Sequence, residues 1–338
     1  MTTSAADESS VRATEEIAVA APPRAADALH AISASGLVPA RLRHVVIDPR
    51  QREKTAQIQG IRVLWRYHLR APNVLWALQK LPDLEWVHSD YVGVDDLPLD
   101  ELARRGITLS NGAGTASGPI AEWIVLALLA AAKDLPRFVR QSDSATWDVG
   151  APLAELAGAV VLLLGLGAIA TRAAELLEPF GVEVRACTRQ PRHERPRGVT
   201  KLLTGEEWRD HLPDADFVVC TLPLTKQTAG ILDGAVFAAM RPEAWLVNVS
   251  RGAVIDDAAL LDALQSGKIA GAVLDAFEQE PLPATHPLWR RPNVLVLPHV
   301  TWSSSHMLDD YTWRFAAQLQ RFVGGLPPTD VVDLHAGY

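Results

Sequence analysis

From Ile17 onward, short apolar runs of β type alternate with longer stretches whose apolar residues recur every three or four positions. The first series predicts strands at residues 17–20, 44–47, 62–65 and 84–87, with helices over 24–35 and 72–80 between them. Four strands in this rhythm predict a small parallel sheet. A second series predicts strands at 160–164, 182–187, 217–222, 245–249, 269–275 and 294–297, separated by helical segments such as 173–179 and 257–265. Parallel neighbours need crossover connections, so six such strands make a doubly wound sheet. Between the two series, residues 119–138 are apolar on nearly every side, which predicts a helix buried all round, either between domains or between subunits. The longest uninterrupted apolar stretch, 124–132, is well short of the roughly 20 residues of a membrane-spanning helix.

Composition narrows the class. At 338 residues the chain predicts two domains, and 48% hydrophobic with 21% charged residues describe a soluble globular protein. The balance of 32 basic against 40 acidic residues, net −8, argues against nucleic acid or an anionic membrane as the principal partner. Residues 1–15 read as a flexible tail, and their acids and small polar residues lack the basic flank and apolar run of an export signal. Two cysteines, Cys187 and Cys220, make no disulfide framework and have no histidines or acids at zinc-ligand spacing, so no metal and a cytoplasmic location are expected. The ten tryptophans, beside four tyrosines, are an excess that composition leaves unexplained.

One strand of the second series runs directly into Gly165-Leu166-Gly167-Ala168-Ile169-Ala170, and a helix follows. This is GxGxxA in the context it requires. Gly165 permits the tight turn, Gly167 lets the backbone approach a pyrophosphate, and Ala170 keeps the helix close to the sheet, while the amides of Ala168 and Ile169 open the helix toward the anion. The next strand ends in Cys187-Thr188-Arg189-Gln190-Pro191-Arg192, with no acid where an NAD site places one for the ribose hydroxyls. Thr188, Arg189 and Arg192 suit a 2′-phosphate instead, so NADPH is expected in preference to NADH. In the strand order 3-2-1-4-5-6, Cys187 and Cys220 end the strands on either side of the first, about 4.8 Å away on each side, too far apart to pair.

Ligands of open parallel sheets bind outside the carboxyl ends of the strands. Three groups fall there: Arg251 after WLVNVS, Glu280 after AGAVLDAF, and His299 after VLVLP. An arginine clamps a carboxylate and polarises a neighbouring carbonyl, a histidine hands over a proton near neutral pH, and a carboxylate beside it favours the imidazolium. Together they suit reduction of a 2-oxo acid.

These motifs carry a resemblance. GLGAIA, TLPLTKQTAGILD, LVNVSRGAVID, LDAFEQEPLP and NVLVLPH stand in the order seen in the D-isomer-specific 2-hydroxyacid dehydrogenases, which the chain resembles from about Arg62 onward. The resemblance implies Arg251, Glu280 and His299 as the catalytic set. It implies Asp275 at the nicotinamide carboxamide, with Ser117, Leu222 and Pro223 at the cofactor. The stretch Ser89 to Asp95 is similar to the loop whose amides receive the substrate carboxylate, with Val92 and Gly93 as donors, although Asp90 beside an anion site is unexpected. Trp302, three places after His299, is similar to some glycerate dehydrogenases and to the carboxy-terminal-binding-protein corepressors, and it either walls the substrate pocket or packs in the core between domains. The implied architecture is a Rossmann cofactor domain, 115–301, inserted into a flavodoxin-like substrate domain, 1–114 with 302–338. The apolar helix from Pro119 matches the family's dimerisation region, which favours a homodimer. The expected activity is NADPH-dependent reduction of a 2-oxo acid to a D-2-hydroxy acid, and the alternative is a dinucleotide-sensing, corepressor-like binding protein with vestigial turnover. Most of the tryptophans then fall on the substrate side.

Overall fold

The computed structural model describes residues 16–54 and 58–338, so the expected tail, 1–15, lies outside the described residues. The chain divides into two compact units, one made of residues up to 112 together with 308–338, the other of 113–307. The sequence places these joints at 114/115 and 301/302.

The first unit is built on β1 (Glu16–Ala21), α1 (Ala26–Ser35), β2 (Arg41–Val46), β3 (Val63–Trp65), α2 (Ala71–Lys80), β4 (Trp86–His88), α3 (Leu99–Arg104) and β5 (Thr108–Ser110). Its strands pair in parallel in the order β2-β1-β3-β4-β5, the flavodoxin-like arrangement. Alternate residues of β1 serve opposite faces, as strand periodicity requires: Ala18 and Ala20 pack with one helical layer, Ile17, Val19 and Ala21 with the other. The fifth strand, absent from the sequence reading, is three residues long and two of them are polar, which erases an apolar run.

The second unit contains α4 (Ser117–Ala132), α5 (Leu135–Asp143), β6 (Val160–Leu164), α6 (Ala168–Leu177), β7 (Glu183–Thr188), β8 (Lys201–Thr204), β9 (Phe217–Cys220), α7 (Gly234–Ala239), β10 (Trp245–Asn248), α8 (Asp257–Ser266), β11 (Gly271–Leu274) and β12 (Val294–Val296). After it α9 (Met307–Val323) returns the chain to the first unit. The parallel sheet runs β12-β11-β10-β9-β6-β7-β8, the expected doubly wound order with one strand more at its edge. β6 reads VVLLL because both faces are covered: Val161 and Leu163 meet α4 and α6, while Leu162 and Leu164 meet the layer on the other side. Cys187 and Cys220 stand in register on either side of Leu164, as expected, and both are free and buried.

The single helix expected over 119–138 is two helices. Asp134 adopts a left-handed backbone, φ 47°, and Pro136 opens the next helix, so α4 stops at Ala132. Nor is α4 buried all round: Ile120, Ala121, Ile124, Leu128 and Ala131 pack on the unit's own core, whereas Leu126 is 45% exposed.

Candidate active site

Parallel strands deliver all their carboxyl ends to one edge, and β10, β11 and β12 are consecutive neighbours. Arg251 leaves β10, Asp275 and Glu280 leave β11, and His299 leaves β12, so topology gathers residues that the sequence keeps far apart. His299 Nδ1 and Glu280 Oε2 stand 2.8 Å apart, and Glu280 Oε1 accepts the Phe277 amide at 2.9 Å. A carboxylate only accepts, which puts a ring proton on Nδ1 and leaves Nε2 as the nitrogen able to exchange a proton with a ligand. Both side chains are partly open, 36% and 37% exposed.

The backbone beneath this pair is unusual. His299 is a non-glycine residue at φ 53°. Asp275, almost fully buried, holds the turn that follows: Oδ1 accepts from Val300 N at 2.8 Å, and Oδ2 from Thr301 N at 3.2 Å and Thr301 Oγ1 at 2.5 Å. The Trp302 indole N–H donates to the His299 carbonyl at 2.7 Å, and its ring packs against the core of the same unit. Asp275, expected to meet a nicotinamide, is thus first a clamp on the histidine's loop, and Oδ1 is the oxygen with capacity left for a ligand amide.

Arg251 stands on a turn fixed by Asn248. The Asn248 amide donates to the Arg251 carbonyl at 3.0 Å, and its oxygen accepts from Ser250 N at 3.1 Å and Ser250 Oγ at 2.8 Å. Gly252 then passes so close to the next loop that a Cβ there would lie 1.8 Å from the Phe277 carbonyl carbon. Only glycine permits that approach, which ties the Arg251 turn to the loop carrying Glu280. Asn248, Gly252 and the loop-holding role of Asp275 escaped the sequence reading, although glycine directly after the arginine in NVSRG was a visible sign.

At the dinucleotide loop, Gly165 takes φ 92° against Thr221 and Leu222, bringing Leu222 and the exposed Pro223 beside it. Gly167 opens α6 without a side-chain cap, and a Cβ on it would meet no protein atom. The chain's own packing does not require glycine there, whereas a group approaching the amides of Ala168 and Ile169 does, so the loop fits a pyrophosphate. Arg192 reaches from the loop after β7 to donate to the Leu166 carbonyl at 2.8 Å, and Arg189, in the same loop, is exposed. Thr188, expected to meet a phosphate, is turned inward. Its buried hydroxyl lies 2.7 Å from the Gln190 carbonyl, to which it donates. Ser117 donates to the Gly114 carbonyl at 2.6 Å and keeps its acceptor capacity.

In the first unit, the amides of Val92 and Gly93 donate to no acceptor among the described residues, and Asn111 steadies their loop by donating to the Val92 carbonyl at 2.8 Å. The unexpected Asp90 is buried. Its Oδ1 accepts the Trp65 indole N–H at 2.7 Å, Oδ2 has no partner, and burial pushes its pKa up to about 7. Around neutral pH much of it is therefore uncharged, so it only weakly opposes an anion at the neighbouring Val92 and Gly93 amides.

Comparison with known proteins identifies the family. Residues 125–301 match the family model described as D-isomer specific 2-hydroxyacid dehydrogenase, NAD binding domain. The glyoxylate reductase of Aeropyrum pernix is 33% identical over 267 residues, 76% of this chain and 78% of its own. A solved D-isomer specific 2-hydroxyacid dehydrogenase family protein from Aeromonas salmonicida superposes with a TM-score of 0.80 at 30% identity, covering 95% of this chain and 99% of that one. The NADPH-dependent glyoxylate/hydroxypyruvate reductase of Sinorhizobium meliloti, solved with NADP and sulfate, gives a TM-score of 0.78 at 27% identity over 96% of this chain and 100% of that one.

Proposed function

The chain belongs to the D-isomer specific 2-hydroxyacid dehydrogenases, and on that footing we propose that it reduces a 2-oxo acid to the D-2-hydroxy acid, with NADPH preferred over NADH. The observation that carries this reading is the His299–Glu280 pair at 2.8 Å on the ligand-binding edge of a dinucleotide sheet. When bound, the nicotinamide would supply the hydride that the keto carbon takes up. His299 Nε2 protonates the oxygen as negative charge develops on it, and Glu280 stabilises the imidazolium that makes this possible. Arg251 binds the carboxylate and polarises the carbonyl, with the Val92 and Gly93 amides as further carboxylate donors. Gly165, Gly167, Ala168 and Ile169 would hold the pyrophosphate, with Leu222, Pro223, Ser117 and Asp275 as further contacts. Arg189 and Arg192 would face the 2′-phosphate, with Thr188 shaping their turn. A dinucleotide sensor would have no use for the proton-donating pair.

The test is NADPH oxidation against glyoxylate, hydroxypyruvate, phenylpyruvate and branched 2-oxo acids. His299→Ala abolishes turnover while NADPH still binds; loss of NADPH binding instead would reassign that histidine. Arg192→Ala lowers the ratio of kcat/KM for NADPH over NADH by about 10-fold or more, the scale of one charge-assisted hydrogen bond. An unchanged ratio removes Arg192 from the phosphate site.

The proposal extends to a homodimer in a cytoplasmic setting. Its support is the stretch from α4 onward, where Leu126, Val139, Trp147 and Val149 are exposed.

A further inference from the structure

A cavity of about 480 Å³ in the first unit is lined by Arg24, His68, Arg70, Asn73 and Tyr91, with two guanidinium groups and no carboxylate among them. Many arginines of this acidic chain are paired, as Arg43 is with Glu16, Arg62 with Glu85 and Arg104 with Glu101. Arg70 is not. It is exposed, and while its backbone carbonyl accepts from the Asn73 and Val74 amides at the start of α2, its guanidinium makes no hydrogen bond or ion pair with the described residues. Arg24 commits Nη2 to the His68 carbonyl at 2.7 Å. Asn73 gives its oxygen to Arg52, which leaves its amide nitrogen as a donor. The rim is therefore rich in donors and net positive, and burial, followed by the charges of Arg24 and Arg66, lowers the pKa of the His68 imidazole.

The cavity is also built. Tyr67 and His68 are consecutive non-glycine residues at φ 30° and 61°. Such a backbone persists only where its surroundings hold it. Buried Arg66 does so, donating to the Leu69 carbonyl at 2.8 Å, the Ser89 hydroxyl at 3.3 Å and Asp96 Oδ2 at 2.5 Å, while His68 Nδ1 meets the Tyr91 hydroxyl at 2.6 Å.

We propose that this cavity is an anion subsite and, resting on the reductase reading above, that the preferred 2-oxo acid carries a second anionic group, a carboxylate or a phosphate, received by Arg24 and Arg70. Guanidinium groups take either anion in paired, charge-assisted hydrogen bonds, and a monoanion as small as glyoxylate has nothing to place there.

The experiment compares kcat/KM for oxaloacetate and 2-oxoglutarate, with a second carboxylate, and 3-phosphohydroxypyruvate, with a phosphate, against glyoxylate and pyruvate. The wild type favours one of the two dianionic classes, and which one identifies the anion. Arg70→Gln, at a side chain that supports nothing else in the fold, lowers the ratio of dianion to monoanion kcat/KM by about 10- to 100-fold, chiefly through KM. A ratio indifferent to Arg70→Gln overturns the subsite while leaving the reductase reading intact. Absence of turnover with every 2-oxo acid defeats the reductase reading instead. Calorimetric titration with succinate and with inorganic phosphate then decides the cavity itself: binding at least 10-fold weaker to Arg70→Gln supports it, and equal binding to both proteins overturns it.

Discussion

His299 shows how a single residue's chemistry depends on neighbours that do none. A left-handed backbone costs an ordinary residue about 1–2 kcal/mol, and at φ 53° His299 is held there by the Asp275 clamp and the Trp302 indole. Trp302→Phe keeps most of the ring packing and removes the donor to the His299 carbonyl, a loss of about 1 kcal/mol in stability. The expected result is a kcat about 10-fold lower with NADPH affinity retained; weaker NADPH binding in place of a slower kcat would put Trp302 at the cofactor. Two buried groups make stability depend on pH in opposite senses. His88, bonded to the Ser110 hydroxyl at 2.8 Å, is pushed down to about 3 by burial, and Asp90 is pushed up to about 7. A histidine with a depressed pKa supports the fold above its free value near 6.5, and that support is lost as pH falls toward 3. A carboxyl with a raised pKa supports the fold below its free value near 3.8, and that support is lost as pH climbs through 7. Asp90→Asn, which keeps an acceptor for Trp65, should gain on the wild type between pH 4 and 7, by at most about 4 kcal/mol. Urea midpoints across that range measure the gain, and parallel curves would mean Asp90 ionises freely. Arg251, Glu280 and His299 were legible in the sequence because they follow apolar strand runs and are residue types with recognisable acid, base or anion chemistry. Asn248 and the Asp275 clamp were not, because their role is contact with backbone that only the fold brings near.

Elements were legible in proportion to their apolar runs. β6, buried on both faces, reads as VVLLL and stands out at once, whereas β8, KLLT, lies at the sheet's edge and β5, TLS, is short and mostly polar, so neither pattern rises above a loop. The break between α4 and α5 was hidden for another reason. Hydrophobicity continues across it, and the stop comes from the backbone of Asp134 and from Pro136. The most consequential junction between elements was carried by one small residue. Gly252 lets the turn after β10 pass against the loop after β11, and Gly252→Ala would press a methyl to 1.8 Å from the Phe277 carbonyl carbon. Backbone cannot yield as a flexible side chain does, so the two loops must separate. The expected cost is about 1–3 kcal/mol of stability, seen as a lower urea midpoint, together with a reduced kcat because the Arg251 and Glu280 loops shift. Full activity in this variant would show that the two loops act independently.

At the scale of the whole molecule, the unresolved matter is apolar surface. The tryptophan excess is partly structural: Trp65 stacks on Phe315 at 4.1 Å and Trp86 at 5.6 Å, filling one layer of the first unit. Trp147 does nothing of the kind. It is 95% exposed, Val149 is 76% exposed, and Leu135 and Val139 on α5 are 43% and 51% exposed. Gly150 lies against the Arg137 guanidinium, so this segment folds back on α5 rather than trailing away from it. Exposed apolar side chains concentrated in one stretch mark an interaction surface, and the self-complementary solution is a second copy of the same chain. Burying a tryptophan removes roughly 200 Å² from water, about 5 kcal/mol as an upper estimate, and a twofold interface would count it twice. Trp147→Ser should therefore raise the dimer dissociation constant by more than about 100-fold. Because the side chain touches almost nothing in its own chain, far-ultraviolet circular dichroism should be unchanged. Sedimentation equilibrium across micromolar concentrations provides the measurement. A wild type that sediments as a monomer, or a variant that dimerises as tightly as the wild type, would mean that this surface serves something other than self-association.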